Sequence, residues 1–177
     1  MRRFGGTFYS LSMAIKDAIL PEFDHEMGTT RRLLERTPEA ELAWKPHEKS
    51  FTMGQLAGHI ANIPNWCDAI LRQTVFDVMT LGDTRAKAPE SIAALLAQFD
   101  KTVSTVRAGL AATSDAEMLT PWTFKKGDHV VFTMPRVAAI RSFIMNHMIH
   151  HRGQLSVYLR LKNVPLPAIY GPTADEQ

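Results

Sequence analysis

Cysteine is almost absent from the sequence. Cys67 is the single example among 177 residues, which excludes an internal disulfide and suits a reducing compartment. No apolar run approaches the roughly 18–20 residues needed to cross a bilayer, so no membrane association is expected. An excess of one charge is missing too: 20 Lys and Arg stand against 18 Asp and Glu, a formal net charge of +2. Nucleic-acid binding asks for Lys and Arg gathered on one face, so no nucleic-acid partner is expected. The opening Met1-Arg2-Arg3-Phe4-Gly5-Gly6 has a basic pair with no continuous apolar stretch behind it, and no signal peptide is read there. The expectation is a cytoplasmic protein with one domain over residues 1–177. Its 45% hydrophobic residues supply a core without disulfide staples.

What is present is helical periodicity. Gly5, Gly6, Ser10 and Ser12 make residues 1–12 an N-terminal arm unlike the rest. From Glu22, residues Phe23, Met27, Thr30, Leu33 and Leu34 recur at three- and four-residue spacings, and Pro38 closes this first helix. A second helix opens at Thr52, which with Gln55 forms a capping box. Its stripe runs through Leu56, His59, Ile60, Ile63, Cys67, Ile70 and Leu71, with a bend at Pro64 and an end near Phe76 to Leu81, where Gly82 is a natural stop. Cys67 falls in this stripe as a small core residue. Pro89 opens a third helix that reaches Ala112 through Ile92, Leu95, Leu96, Phe99, Val103, Val106 and Leu110. Trp122 and Phe124, then Val130, Phe132 and Met134, alternate on either side of Lys126-Gly127-Asp128 as a short hairpin does. Pro135 opens a fourth helix through Ile140, Phe143, Ile144, His147, His151, Leu155 and Tyr158 to Leu161. The fold class expected is all-α: a four-helix bundle with a long, hairpin-bearing connection between the third and fourth helices.

Of the seven histidines, three carry the argument. His147 and His151 are four apart, so on a helix their rings share a face one turn apart, the spacing by which one helix offers two imidazoles to a metal ion. Their stripe is otherwise apolar, and two inward imidazoles need partners or a cation. His59 repeats the situation on the second helix. Together the three make a site with open positions, as catalytic metal sites have. Helical spacing leaves His150 as an alternative partner of His147, although it sits about 100° around the axis from His151. His25, His47 and His129 read as surface residues. Arg152 and Gln154 read either as a solvated face or as groups that orient a ligand or hold an anion. Ile169 and Tyr170 in the proline-rich tail are costly to expose together, so the tail is expected to fold back over the helices, with Tyr170 either packed on the surface or close to the mouth of the site.

Several segments together resemble the DinB/YfiT-like metalloproteins, a damage-inducible four-helix-bundle family. They are Leu20-Pro21-Glu22-Phe23-Asp24-His25-Glu26, Trp44-Lys45-Pro46-His47-Glu48-Lys49-Ser50, Leu56-Ala57-Gly58-His59-Ile60-Ala61, and Asn146-His147-Met148-Ile149-His150-His151-Arg152-Gly153-Gln154-Leu155. The tail segments Val164-Pro165, Ile169-Tyr170-Gly171-Pro172 and Ala174-Asp175-Glu176 add to them. The fourth-helix segment is the specific one. The resemblance implies a divalent metal held by one histidine of the second helix and the paired histidines of the fourth, which here are His59, His147 and His151. It also implies a homodimer, and membership beside thiol-dependent transferases and isomerases.

The functional expectation is therefore a metal-dependent enzyme using Zn, Ni, Fe or Mn, all of which imidazole accepts. It would act on a small molecule, as a thiol-dependent S-transferase or isomerase taking a low-molecular-weight thiol, or as a hydrolase. No carboxylate adjoins the trio in sequence, which favours thiol activation. The alternative is a non-catalytic metal-binding stress-response protein.

Overall fold

Each long helix is set by the way its ends are satisfied. A computed structural model of the chain describes residues 13–81 and 86–177; the arm at 1–12 and the helix stop at Gly82 lie outside the described residues. Helix α1 (Ile15–Glu35) begins seven residues before Glu22 and contains Pro21. An interior proline removes a backbone donor and costs about 3 kcal/mol. The extra turns are held by capping: Asp17 Oδ2 accepts from the Ala14 N–H at 3.1 Å, and Asp115 Oδ1 accepts from the Ile15 N–H at 3.0 Å. The second cap comes from a residue 100 positions away, beyond the reach of local pattern.

Helix α2 (Met53–Asn62) starts at the expected capping box, with Gln55 N–H donating to Thr52 Oγ1 and Thr52 N–H to Gln55 Oε1. At Pro64 the chain tightens into a 3₁₀ turn, and α3 (Trp66–Arg72) follows. The second helix therefore ends earlier than Phe76 to Leu81, because Val75–Asp77 is strand β1. Helix α4 (Ile92–Ala112) starts after Ser91 rather than at Pro89, since the Ser91 hydroxyl accepts from Ala94 N–H and Glu39 Oε1 accepts from Ile92 N–H. A short α5 (Asp115–Met118) leads into the hairpin β2 (Pro121–Lys126) and β3 (His129–Pro135).

The all-α expectation thus needs a correction: the chain is mostly helical but carries a three-stranded sheet of order β1-β2-β3, with β1 parallel and β3 antiparallel to β2. Gly127, at φ +59°, makes the hairpin turn and its N–H donates to Asp77 Oδ1 at 3.0 Å. Phe76, too, is buried against the sheet, within 6.4 Å of Trp122 and 6.2 Å of Phe124 between ring centroids. This burial and the parallel pairing draw Val75–Asp77 out of helix. Phe143 gathers the cluster, with Phe124, Trp66, Phe132 and Trp122 all within 6.2 Å.

After β3 the chain is helical to Leu161, but not as uniform α-helix: α6 (Arg136–Ala139) passes into a π-helical stretch, Ile140–Asn146, and then α7 (His147–Leu161). Such stretches recur at functional sites. Helix α1 packs on α4 and α7, and α2 packs on the same two. Among the described residues no helix is long and apolar enough to cross a membrane.

The buried stripe of α7 is Met148, Arg152, Leu155 and Leu159, one position round from the stripe expected through His147, His151, Leu155 and Tyr158. Arg152 is therefore not on a solvated face; it is 1% exposed. Its guanidinium meets Glu26 Oε2 of α1 at 2.7 Å and donates to the Glu26 carbonyl, Thr30 Oγ1 and the Tyr170 hydroxyl. The tail does fold back, though by polar anchors more than by apolar burial: the Tyr170 ring stays 65% exposed while its hydroxyl donates to Glu26. Asp175 pairs with Arg160, and Glu176 with Arg36.

Removing one partner of a buried ion pair costs about 3–5 kcal/mol, whereas replacing both by apolar groups can be close to neutral. Urea denaturation of Arg152→Met is thus expected to show a loss of that size, most of it recovered in Glu26→Leu/Arg152→Met. Tyr170→Phe should lose about 1.5–3 kcal/mol, the usual contribution of a hydrogen bond to a charged group.

Candidate metal centre

Helices α2 and α7 lie side by side, and three imidazoles meet between them. His59 projects from α2, and His147 and His151 from the first turns of α7, where regular α geometry preserves their four-residue spacing. His147 Nε2 lies 3.3 Å from His59 Nε2 and 2.9 Å from His151 Nε2. One nitrogen from each ring falls within 4.8 Å of the others, and all three residues are half-buried. Among the described residues no Cys, Asp or Glu joins this group.

The outer ring nitrogen of His151 defines its tautomer. His151 Nδ1 donates to Gln154 Oε1 at 2.7 Å, and the nearby Phe143 carbonyl partly offsets the effect of burial on His147. His151 Nε2 is thereby left with its lone pair directed at His147 Nε2, 2.9 Å away. Burial pushes His59 down to about 4, with His151 and His147 adding like-charge repulsion. Burial is also the main cause that lowers His147 and His151, and His150 adds to it in both. Three half-buried imidazoles whose ring nitrogens converge match the donor set that divalent transition metals take. The donor set fits a metal ion.

The glycines of α2 shape the surroundings. A Cβ on Gly58 would stand 2.2 Å from the Lys87 carbonyl oxygen, and one on Gly54 would stand 2.9 Å from the Ala88 Cβ. Only glycine at position 58 lets the Lys87 backbone lie this close to α2, next to His59. A cleft of about 680 Å³ opens there, lined by His59, Asn62, Asn65, Trp66, Phe76 and Lys87 among others.

The remaining residues singled out from the sequence separate clearly. Gln154 touches His151. Arg152 and Tyr170 bond to Glu26 and neither lines the cleft. His150 is exposed, with its ring 4.9 Å from that of His151. His47 and His129 are exposed, as is His25, which stacks on Tyr170. Sequence reasoning missed Glu26 and the asparagines of the cleft. Glu26 had a signal: it shares a helix face with Phe23, Met27 and Thr30, where a carboxylate requires a buried partner.

Fold and site together define a mostly helical protein with a three-histidine candidate metal centre between two helices. The chain belongs to the DinB superfamily, whose family model matches residues 22–155. It is 25% identical over 170 residues to the uncharacterized protein YrdA of Bacillus subtilis (strain 168), covering 90% of each chain. Among solved structures it is similar to a DinB-like protein of Bacillus cereus ATCC 10987, with TM-score 0.70 and 20% identity over 89% of this chain and 98% of that one. It is also similar to YfiT of Bacillus subtilis, with TM-score 0.62 and 13% identity over 93% and 94% of the two chains. YfiT is described as a probable metal-dependent hydrolase with an unusual four-helix bundle topology. At these identities the structural likeness establishes the fold.

The lowered histidines make a pH prediction for the metal-free protein. The unfolded chain takes up protons as pH falls past the ordinary histidine value near 6.5, while the folded triad resists, down to about 4 at His59. Stability is therefore greatest above about 6.5 and falls as pH drops towards 4. Urea midpoints measured in chelator across that window should decline, and His59→Gln should flatten the decline.

Proposed function

We propose that this chain is a metal-dependent enzyme acting on a small molecule, with one divalent transition-metal ion (Zn, Ni, Fe or Mn) held by His59, His147 and His151. The observation that carries this reading is the convergence of three imidazole nitrogens with no fourth protein ligand beside them among the described residues. Three ligands and an adjoining cleft are the pattern of catalytic centres, whereas structural centres close with a fourth. When bound, the ion supplies Lewis acidity towards a substrate oxygen or thiol. The chain's own groups do the rest. Gln154 holds His151 in the tautomer that frees Nε2, and Trp66 and Phe76 give the cleft an apolar wall.

We read the helices α1, α2 with α3, α4 and α7 as the four columns of a four-helix bundle, the topology named for YfiT. The reaction class is a thiol-dependent transfer or isomerisation with a low-molecular-weight thiol, or a hydrolysis as named for YfiT. Asp68, which lines the cleft, is already paired with Arg72, and this favours the thiol arm. Metal analysis of protein purified without an affinity tag tests the site: about one equivalent per chain is expected, lost in His147→Ala and in His151→Ala and kept in His150→Ala. A metal-loaded protein inert towards every thiol–electrophile pair and every ester or amide screened would leave the non-catalytic metal-binding alternative.

The chain is further read as a cytoplasmic homodimer, by family resemblance and from exposed apolar side chains such as Val157 and Leu161 on α7 and Val130 and Val131 on β3. Light scattering should give about twice the 19.8 kDa of one chain; a mass near one chain at all concentrations would refute it.

A further inference from the structure

The hydrogen bonds beside the cleft run in one direction. Gln98 Nε2 donates to Thr102 Oγ1 at 3.2 Å, the Thr102 hydroxyl donates to Asn65 Oδ1 at 3.1 Å, and Asn65 Nδ2 donates to Asn62 Oδ1 at 2.8 Å. Thr102 is buried in α4, so its hydroxyl has little choice of acceptor, and its choice orients both asparagine amides. The Asn62 oxygen is occupied as the acceptor at the end of this relay. Its amide nitrogen, with two donors, finds no partner among the described residues. Asn62 is the last residue of α2, three after His59 and thus on the same helix face, and both residues line the same cleft.

The other walls narrow the ligand. Trp66 and Phe76 present aromatic surface, their rings 5.5 Å apart. Lys87 reaches the cleft because Gly58 admits its backbone against α2. The acidic residue on the wall, Asp68, is engaged by Arg72. The cleft thus combines an amide with free donors, a lysine on its rim and an apolar wall, and its size is that of small-molecule sites.

We propose that Asn62 is a specificity-determining residue whose Nδ2 donates to an acceptor oxygen of the ligand, and that this ligand is a small carboxylate with an apolar body lying against Trp66 and Phe76. The inference rests on the reading of the triad as a metal centre for the ligand's role, but not for its binding contacts, which come from the chain itself.

The test is calorimetric titration of zinc-loaded and metal-free protein with phenylacetate, and with benzylamine as a donor-only molecule of similar shape. Phenylacetate should bind and benzylamine should not. Asn62→Leu, at an exposed position, should weaken phenylacetate by about tenfold or more, the loss expected for a hydrogen bond to a charged group, while zinc affinity stays within about twofold. Thr102→Val should weaken phenylacetate by a smaller factor, because the relay no longer orients Asn62, and its thermal midpoint separates this effect from lost folding. Phenylacetate binding equally well to Asn62→Leu, or benzylamine binding as tightly, overturns the proposal. Zinc uptake without phenylacetate binding overturns it alone. Asn62-dependent phenylacetate binding in a protein that takes up no zinc sustains it and removes the metal reading.

Discussion

A guanidinium excluded from water has to be met by a carboxylate and by acceptors for its remaining donors, and Arg152 imposes that condition on three parts of the chain. Glu26 and Thr30 come from α1, Tyr170 from the tail, and Arg152 itself from α7. Because Arg152 faces inward, Met148, Leu155 and Leu159 face inward with it, and His147 and His151 are turned to the half-buried flank beside α2. The ion pair contributes little net stability over an apolar replacement, so its physical effect is on the rotation of α7, and through it on where the imidazoles stand.

Around that rotation the site is built from groups that carry no net charge. The three rings are kept neutral by burial and by their histidine neighbours, and Gln154 holds the outer nitrogen of His151. Phe143 lies in the π-helical stretch that precedes His147 and sits at the centre of the aromatic cluster under the sheet. The sheet thus bears on the site through Phe143, although no strand contributes one of the three rings. Gly58 acts from the other side, admitting the backbone at Lys87 close to His59.

Much of this was legible in the residues themselves. The capping box at Thr52 and Gln55, the interruption at Pro64, the hairpin around Gly127 and the four-residue spacing of His147 and His151 are local patterns, and local hydrogen bonding or backbone geometry suffices to produce each. The candidate trio was legible for the same reason: two of its members share one helix turn, and the third interrupts an apolar stripe. Other features depended on partners distant in sequence. Helix α1 extends upstream of Pro21 with a cap from Asp115, β1 exists because Phe76 and its neighbours pair with β2, and Arg152 is buried because Glu26 waits on another helix.

The sequence by itself determined the helical periods, the turn at Gly127 and which side chains are able to ligate a metal, since these follow from covalent chemistry and from neighbours within a few residues. Only the tertiary structure decided that three imidazole nitrogens meet, that α7 turns Arg152 inward instead of His151, and that Asn62 and His59 line one cleft. Each of these is a relation between residues brought together by packing. The free energy that selects among such relations, the satisfaction of buried charge and of oriented hydrogen bonds, exists only once the helices are side by side.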